Sequence, residues 1–150
     1  MLESLYELRA GSSEALCATH NLSKRCFHEP WSFASLYAAL EGDYDLLLCE
    51  KDGELCGYIL SLTIIDEIEI MQIAVHPEYR RQGIARMMSE QLKNLAVGIT
   101  CIHLEVRLSN QAAHALYEDL GFIQSGYRKQ YYAPDSNGLR EDALLMTLTI

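Results

Sequence analysis

No run of apolar residues in the chain is long enough to span a bilayer, which takes about 20 of them. The N-terminus has no basic region followed by an apolar run, so no signal peptide is predicted and no membrane association is expected. Basic residues are scarce: 12 Lys and Arg stand against 21 Asp and Glu, a formal charge of -9. Such a surface does not suit a phosphate backbone, and direct nucleic-acid binding is not expected. It suits a cationic partner, such as a basic peptide or protein tail. The five cysteines, Cys17, Cys26, Cys49, Cys56 and Cys101, are odd in number and widely spaced, with no CxxC pair. The five histidines show no ligand spacing either, so no metal is expected. Buried free thiols in a reducing cytoplasm are the predicted state of the cysteines, which makes the protein cytoplasmic. Repeats, low-complexity tracts and linkers are lacking. With 150 residues and 49% hydrophobic content, residues 1–150 are predicted to form a single domain.

What the chain does have is one organising stretch, Ile73 to Leu92, reading IAVHPEYRRQGIARMMSEQL. Ile73-Ala74-Val75 ends an apolar strand. His76-Pro77-Glu78-Tyr79 breaks it, because proline cannot serve a sheet interior. After Arg80-Arg81-Gln82-Gly83, the spacing of Ile84, Met88, Leu92 and Leu95 predicts a long helix. A strand that feeds a polar loop and a helix start presents backbone N–H groups at one point, which is an anion site. Gly83 permits close backbone approach, and Ala85 is small enough to do nearly the same.

Around that stretch the sequence predicts a mixed sheet with flanking helices in the order β-α-α-β-β-β-α-β-α-β-β. The first strand is Leu5 to Arg9, and Ser12-Ser13 caps a helix reaching Cys26. A short helix, Phe33 to Leu40, is capped by Ser32. Trp31 before it is either core or part of a substrate entrance. Tyr44 to Glu50, Leu55 to Ile65 and Ile68 to Val75 form an antiparallel meander, with a hairpin at Asp52-Gly53. In its last strand Glu67, Glu69, Met71, Ile73 and Val75 share one face, and Ile68, Ile70, Gln72 and Ala74 the other. Gly98 stops the long helix, and Cys101 to Val106 is a strand with Ile102, Leu104 and Val106 on one face. A helix from Gln111 to Leu120 ends at Gly121. Phe122 to Tyr132 and Ala143 to Leu148 are the closing strands. Asn110, Ala113 and Tyr117, three and four residues apart, lie on one helix face. Taken alone, Tyr117 is a core aromatic, Asn110 a helix cap and Glu105 an exposed strand residue in a salt bridge. Glu105 also stands near the carboxyl end of a strand, where α/β sites lie.

Arg80-x-x-Gly83-x-Ala85 resembles the (Q/R)xxGx(G/A) signature of the GNAT superfamily of N-acetyltransferases. The Leu116-Tyr117-x-x-x-Gly121-Phe122 run resembles that superfamily's second landmark. Glu29-Pro30-Trp31-Ser32, Tyr131-Tyr132 and Arg140 to Leu144 are similar to the ribosomal-protein-alanine N-acetyltransferase group within it. The resemblance implies the GNAT fold, an α/β arrangement whose two strands flanking the long helix splay apart to admit the cofactor. It implies acetyl-CoA as cosubstrate, without a metal. The cofactor would be held by Ile73, Ala74, Val75, Arg80, Arg81, Gln82, Gly83, Ile84 and Ala85, with Asn110, Ala113 and Tyr117 along the pantetheine arm. It implies Glu105 as base and Tyr117 as acid, with Trp31, Glu69, Tyr131 and Tyr132 toward the substrate. Glu69 lies on the strand from which other members of the superfamily take their base, and strand periodicity alone does not choose between the two carboxylates. The implied partner is the basic N-terminal segment of a small-subunit ribosomal protein, beginning with alanine. A lysine or small-amine acetyltransferase, and a non-catalytic CoA-binding or ribosome-associated module, are the alternatives.

Overall fold

The computed structural model describes residues 6–150, so the Leu5 end of the first predicted strand lies outside the described residues. The elements follow the predicted order: β1 (Glu7–Gly11), α1 (Leu16–Cys26), α2 (Phe33–Glu41), β2 (Tyr44–Lys51), β3 (Glu54–Ile64), β4 (Glu67–Val75), α3 (Ile84–Leu95), β5 (Cys101–Arg107), α4 (Gln111–Asp119), β6 (Ile123–Arg128) and β7 (Ala143–Thr149). Strands hydrogen-bond in the order β1-β2-β3-β4-β5-β7-β6. The chain divides into two compact units, residues 6–63 with Met71–Val97, and Ile64–Ile70 with Gly98–Ile150. Strand β4 is covalently common to both.

The first unit is built on the β1-β2-β3 meander. Asp52 and Gly53 take φ of 52° and 79°, the doubly positive pair of a type I′ turn, and close the β2–β3 hairpin as their sequence predicts. Leu36 of α2, Leu46 and Leu48 of β2, Tyr58 and Leu60 of β3 and Ala74 of β4 make its core, with Ala15, Leu16 and Leu22. Ser32 caps α2 by accepting the Ser35 N–H at 3.1 Å. The cap predicted at Ser12-Ser13 differs. A 3-10 turn, Ser13–Ala15, precedes α1, and Glu14 reaches back to accept the Ser12 N–H at 3.0 Å. The Ser12 side chain accepts no helix N–H, and the carboxylate instead reaches back to the Ser12 backbone.

Gly57 of β3 sets how closely the next elements approach. A Cβ there would lie 2.8 Å from the Ala74 carbonyl oxygen and within 3.2 Å of Met88 and Ile84 side chains. The missing side chain lets both the β4 backbone and the inner face of α3 close on β3. Ile84, Met88, Ser89 and Leu92 are the buried face of α3. Leu95, predicted as part of that stripe, is 58% exposed, as the last residue of the helix, one place beyond its final buried position at Leu92 on that face.

In the second unit β4 pairs in parallel with β5 from Glu67↔Cys101 to Ile70↔Leu104. That ladder stops there although β4 continues to Val75 and β5 to Arg107. Strand β7 lies antiparallel between β5 and β6. Ile102, Leu104 and Val106 are buried as predicted, with Leu144, Met146 and Leu148 of β7. The last strand pair differs from expectation at one end. Strand β6 stops at Arg128, and Gln130 turns with φ 48°. Tyr131 and Tyr132 leave the ladder because both backbone N–H groups go to the Glu141 carbonyl, at 3.1 and 3.2 Å.

Gly57→Ala should destabilise the fold by about 1–3 kcal/mol, the range for overpacking against atoms that cannot rotate away. Urea denaturation measures it. A loss within experimental error would mean that β3 and β4 separate at no cost.

Candidate active site

In the first unit the loop after β4 is shaped by its own backbone. The Val75 carbonyl accepts from Cys26 Sγ and from Arg80 Nε, each at 3.3 Å, and the His76 N–H donates to the Cys56 carbonyl at 2.7 Å. His76 Nδ1 accepts the Glu78 N–H at 3.1 Å and opens a 3-10 turn, Pro77–Tyr79. Arg80 is extended, and Arg81 is left-handed at φ 61°. That conformation costs a non-glycine residue roughly 1–2 kcal/mol, and such strain collects at ligand-holding loops. Gln82 is held by the Tyr6 hydroxyl. Gly83 is left-handed at φ 78°, with nothing within 4 Å of where its Cβ would stand. Its backbone needs a glycine, and the space beside it is open.

Helix α3 then begins with no side-chain cap, and its first turn closes by the Met87 N–H on the Gly83 carbonyl at 2.9 Å. The preceding N–H groups have no carbonyl within the helix to bond, and the helix dipole adds positive potential at the same point. An open hollow of about 400 Å³ adjoins the helix start, lined by Tyr6, Leu8, Gln82, Gly83, Arg86 and Met87 among others. Arg80 and Arg81 are exposed, Ala85 is partly so, and Ile84 is buried and offers only its backbone. These residues fit an anionic group such as a pyrophosphate. Of the strand residues before them, Ala74 is buried and Ile73 and Val75 are partly exposed. Gln72 is buried and accepts the Tyr58 hydroxyl at 2.8 Å. Trp31 is half-buried against the first unit's core, edge-on to Tyr44 at 5.9 Å, the packing side of its two predicted alternatives.

In the second unit Asn110 caps α4 by accepting the Ala113 N–H at 3.2 Å. Its amide NH₂ remains a donor. Tyr117 is 8% exposed and stands edge-on to Phe122 at 5.7 Å. Burial pushes its phenol up to about 12, so it holds its proton throughout the neutral range. Core packing and proton donation are thus compatible at this residue.

Glu105 is one residue beyond the last β4–β5 pair. Its carboxylate forms an ion pair with Arg128, 3.1 Å from Nε, and interacts with the Tyr131 phenol. Burial, and then the bond to Glu105, raise the Tyr131 phenol above its ordinary value. Glu69 adds to that electrostatically from the same face of the sheet. Tyr132 lies 4.0 Å from the Arg107 guanidinium carbon and edge-on to Tyr131 at 5.2 Å. Burial pushes the Tyr132 phenol to about 12. Glu141 pairs with Arg107 at 3.4 Å and accepts the Ser109 N–H at 3.0 Å, which holds its carboxyl below the usual range. Asp142 accepts the Gln130 N–H at 2.8 Å. The Arg140-to-Asp142 segment therefore braces both the loop before α4 and the turn carrying the two tyrosines.

The structure places Glu105, Glu69, Tyr131 and Tyr132 in one unit with the Arg140-to-Asp142 segment, and Trp31 in the other. Arg128 and Arg107 join them. Arg128 carries no signal in the sequence: an exposed arginine at a strand end has no motif. The sequence also predicts no His/Cys cluster, yet folding makes one. Glu67, Cys101 and His103 converge on one face of the sheet. The alternation Cys101-x-His103 on a strand is the signal that was there to find. Of the thiols predicted to be buried, Cys49 and Cys56 are, Cys26 and Cys101 are partly exposed, and Cys17 is exposed; all five are free. Among the described residues no helix is long and apolar enough to cross a membrane.

The first unit thus offers an uncapped helix start beside two exposed arginines, and the second, separately, a buried protonated phenol and a paired carboxylate. The chain matches the model of the acetyltransferase (GNAT) family over residues 16–122, and it belongs to that family of enzymes. Over 138 residues it is 37% identical to the [ribosomal protein bS18]-alanine N-acetyltransferase of Escherichia coli strain K12, covering 90% of this chain and 91% of that protein. Over 141 residues it is 35% identical to the enzyme of the same name from Salmonella typhimurium strain LT2, covering 93% and 94%. The crystal structure of the ribosomal-protein-S18-alanine N-acetyltransferase from Escherichia coli superposes with a TM-score of 0.91 at 33% identity, over 97% of this chain and 94% of that one. The expected family and fold class are borne out.

Tyr117 makes a pH prediction. Its folded pKa, about 12, lies above the unfolded value near 10. The stability linked to its proton is fully present below pH 10 and is lost as pH rises through 12. Tyr117→Phe should lose less stability than wild type between pH 10 and 12 in urea titrations. Parallel losses in the two proteins would place the phenol in water.

Proposed function

We propose that the protein transfers the acetyl group of acetyl-CoA to the N-terminal α-amine of a small-subunit ribosomal protein that begins with alanine, acting in the cytoplasm as a single domain over residues 1–150. The likeness over nine-tenths of the chain to enzymes named for that reaction supports this most. The charge of -9 supports a basic peptide segment behind the reacting amine and speaks against direct nucleic-acid contact.

The chemistry starts from the ammonium form of the amine, which cannot attack. An α-amine titrates near 8 and a lysine amine near 10.4, so a modest base suffices for the former. Glu105 accepts that proton, directly or through one water, while Arg128 and Tyr131 hold its carboxylate in one orientation. The amine nitrogen bonds to the thioester carbonyl carbon, and a backbone N–H of the Ile73–Val75 segment supplies the donor for the developing oxyanion. The carbon–sulfur bond breaks, and Tyr117 gives its proton to the departing sulfur, to be reprotonated from solvent. The start of α3, with Arg80, Arg81, Gln82, Gly83, Ile84 and Ala85, binds the pyrophosphate, and Asn110 and Ala113 line the pantetheine arm. Tyr131, Tyr132, Glu69 and Trp31 serve the peptide. No metal takes part in these steps.

The direct test presents acetyl-CoA and three peptides: one with a free N-terminal alanine, one N-terminally blocked with an internal lysine, and a free polyamine. Mass spectrometry should find the acetyl group on the alanine α-amine. Turnover confined to lysine or polyamine would replace the substrate, and no turnover with tight CoA binding would replace the enzyme by a binding module. Gly83→Trp, in a folded protein, should abolish CoA binding by calorimetry.

Tyr117→Phe should lower turnover by roughly 10²–10⁴-fold, the usual worth of a positioned proton donor, with CoA affinity changing less. Glu105→Gln should depress turnover most at low pH, where little α-amine is neutral, and the defect should narrow as pH rises. Glu69→Gln should keep the wild-type profile. The opposite pattern in the two pH–rate profiles would move the base to β4.

A further inference from the structure

Three electron-donating atoms meet on the same sheet face as Glu69 and Glu105, at the opposite end of the β4–β5 ladder from Glu105. Cys101 Sγ lies 3.2 Å from His103 Nε2, and Glu67 Oε2 lies 3.2 Å from the same nitrogen. All three ligand atoms fall within 4.8 Å of one another. Their convergence follows from register. Cys101 and His103 alternate onto one face of β5, and Glu67 is the residue paired with Cys101 across the parallel ladder.

The histidine is oriented from behind. His103 Nδ1 is 2.9 Å from Thr147 Oγ1, and the Thr147 hydroxyl donates to Ser125 Oγ at 2.9 Å. With its own hydrogen directed at Ser125, Thr147 accepts from Nδ1–H. In the neutral ring with its hydrogen on Nδ1, Nε2 presents a lone pair toward the cysteine and the glutamate. A ring nitrogen and a carboxylate oxygen, both acceptors, face each other at 3.2 Å with the thiol hydrogen as the one proton at hand. Such a set is complete when a cation sits among its members.

We propose that Glu67, Cys101 and His103 form a binding site for a divalent transition-metal ion of the zinc class. Around a tetrahedral zinc with N and O at about 2.0–2.1 Å and S at about 2.3 Å, neighbouring ligand atoms stand roughly 3.3–3.6 Å apart. The two 3.2 Å separations are within a few tenths of that. Thiolate with imidazole selects zinc, cobalt or nickel over magnesium and calcium, which take oxygen ligands. Water takes the fourth position: Glu67 is half exposed, His103 one-third exposed, and the ion reaches the site from solvent. Binding releases the thiol proton to solvent, forms bonds from Sγ, Nε2 and Oε2, and changes no oxidation state. Thr147 is a positioning residue that holds the imidazole in the binding tautomer.

The test uses the untagged, reduced full chain, stripped with a chelator and titrated with Co²⁺. The expected result is a near-ultraviolet thiolate-to-cobalt band with visible bands of four-coordinate cobalt, all bleached by stoichiometric Zn²⁺. Cys101→Ser should remove the thiolate band, whereas Cys17→Ser, at the exposed thiol, should keep it. Glu67→Gln, at an exposed side chain that leaves the fold intact, should weaken Zn²⁺ binding in chelator competition. Thr147→Val should weaken it by roughly 10–100-fold, the usual effect of losing a partner behind a ligating histidine. A thiolate band that survives Cys101→Ser, affinity indifferent to Glu67→Gln, or no band in wild type would each overturn the site. None of these readouts involves acetyl transfer, so the acetyltransferase reading stands or falls separately.

Discussion

The short parallel ladder between β4 and β5 is the constraint on which the functional arrangement depends. Its four pairs run from Glu67↔Cys101 to Ile70↔Leu104. Backbone polar groups must find partners, so where the ladder ends each strand turns to another neighbour. On β5 the residues beyond it stay paired with β7, from Glu105↔Leu145 to Arg107↔Ala143. At the end of β4 the Val75 carbonyl takes Arg80 and Cys26, and the next N–H goes to Cys56. On β5 the end of the ladder is the place where Glu105 stands, one residue past the last pair.

The first unit makes that loop rigid from beneath. Gly57 lets β4 and α3 close on β3, and Ile84 and Met88 bury the inner face of the helix. The helix start is thereby anchored by apolar packing, while its N–H groups and the left-handed Arg81 and Gly83 remain on the outside of the turn. Strain at Arg81 is offset by this packing. An anion gains a preorganised cradle and does not have to order the loop itself.

The second unit organises its acidic side chains by a different means. Glu141 and Asp142 are turned onto backbone N–H groups of Ser109 and Gln130, and Glu105 onto Arg128 and Tyr131. Two of these carboxylates brace loops and the third is aimed. The tyrosine pair leaves β6 for the same reason, since the Glu141 carbonyl offers both N–H groups a partner off the ladder. Part of the excess of negative charge in the composition thus becomes a scaffold of braced loops.

The sequence by itself determined the order of the elements, the Asp52-Gly53 turn, the Ser32 and Asn110 caps, the buried faces of β4 and β5 and the glycine turn into α3 at Gly83. These are encoded by residues a few positions apart, in period, turn chemistry and capping. The tertiary structure decided what depends on register and on distant partners. It ended β6 at Arg128, exposed Leu95, placed Arg128 on Glu105 and set Glu141 under the loop before α4. It also brought Glu67 beside Cys101 and His103, which the sequence holds far apart. A one-residue slip of β4 against β5 would send Glu67 to the other face. Which side chains meet across a ladder is fixed by the pairing of whole strands, and no local pattern records it.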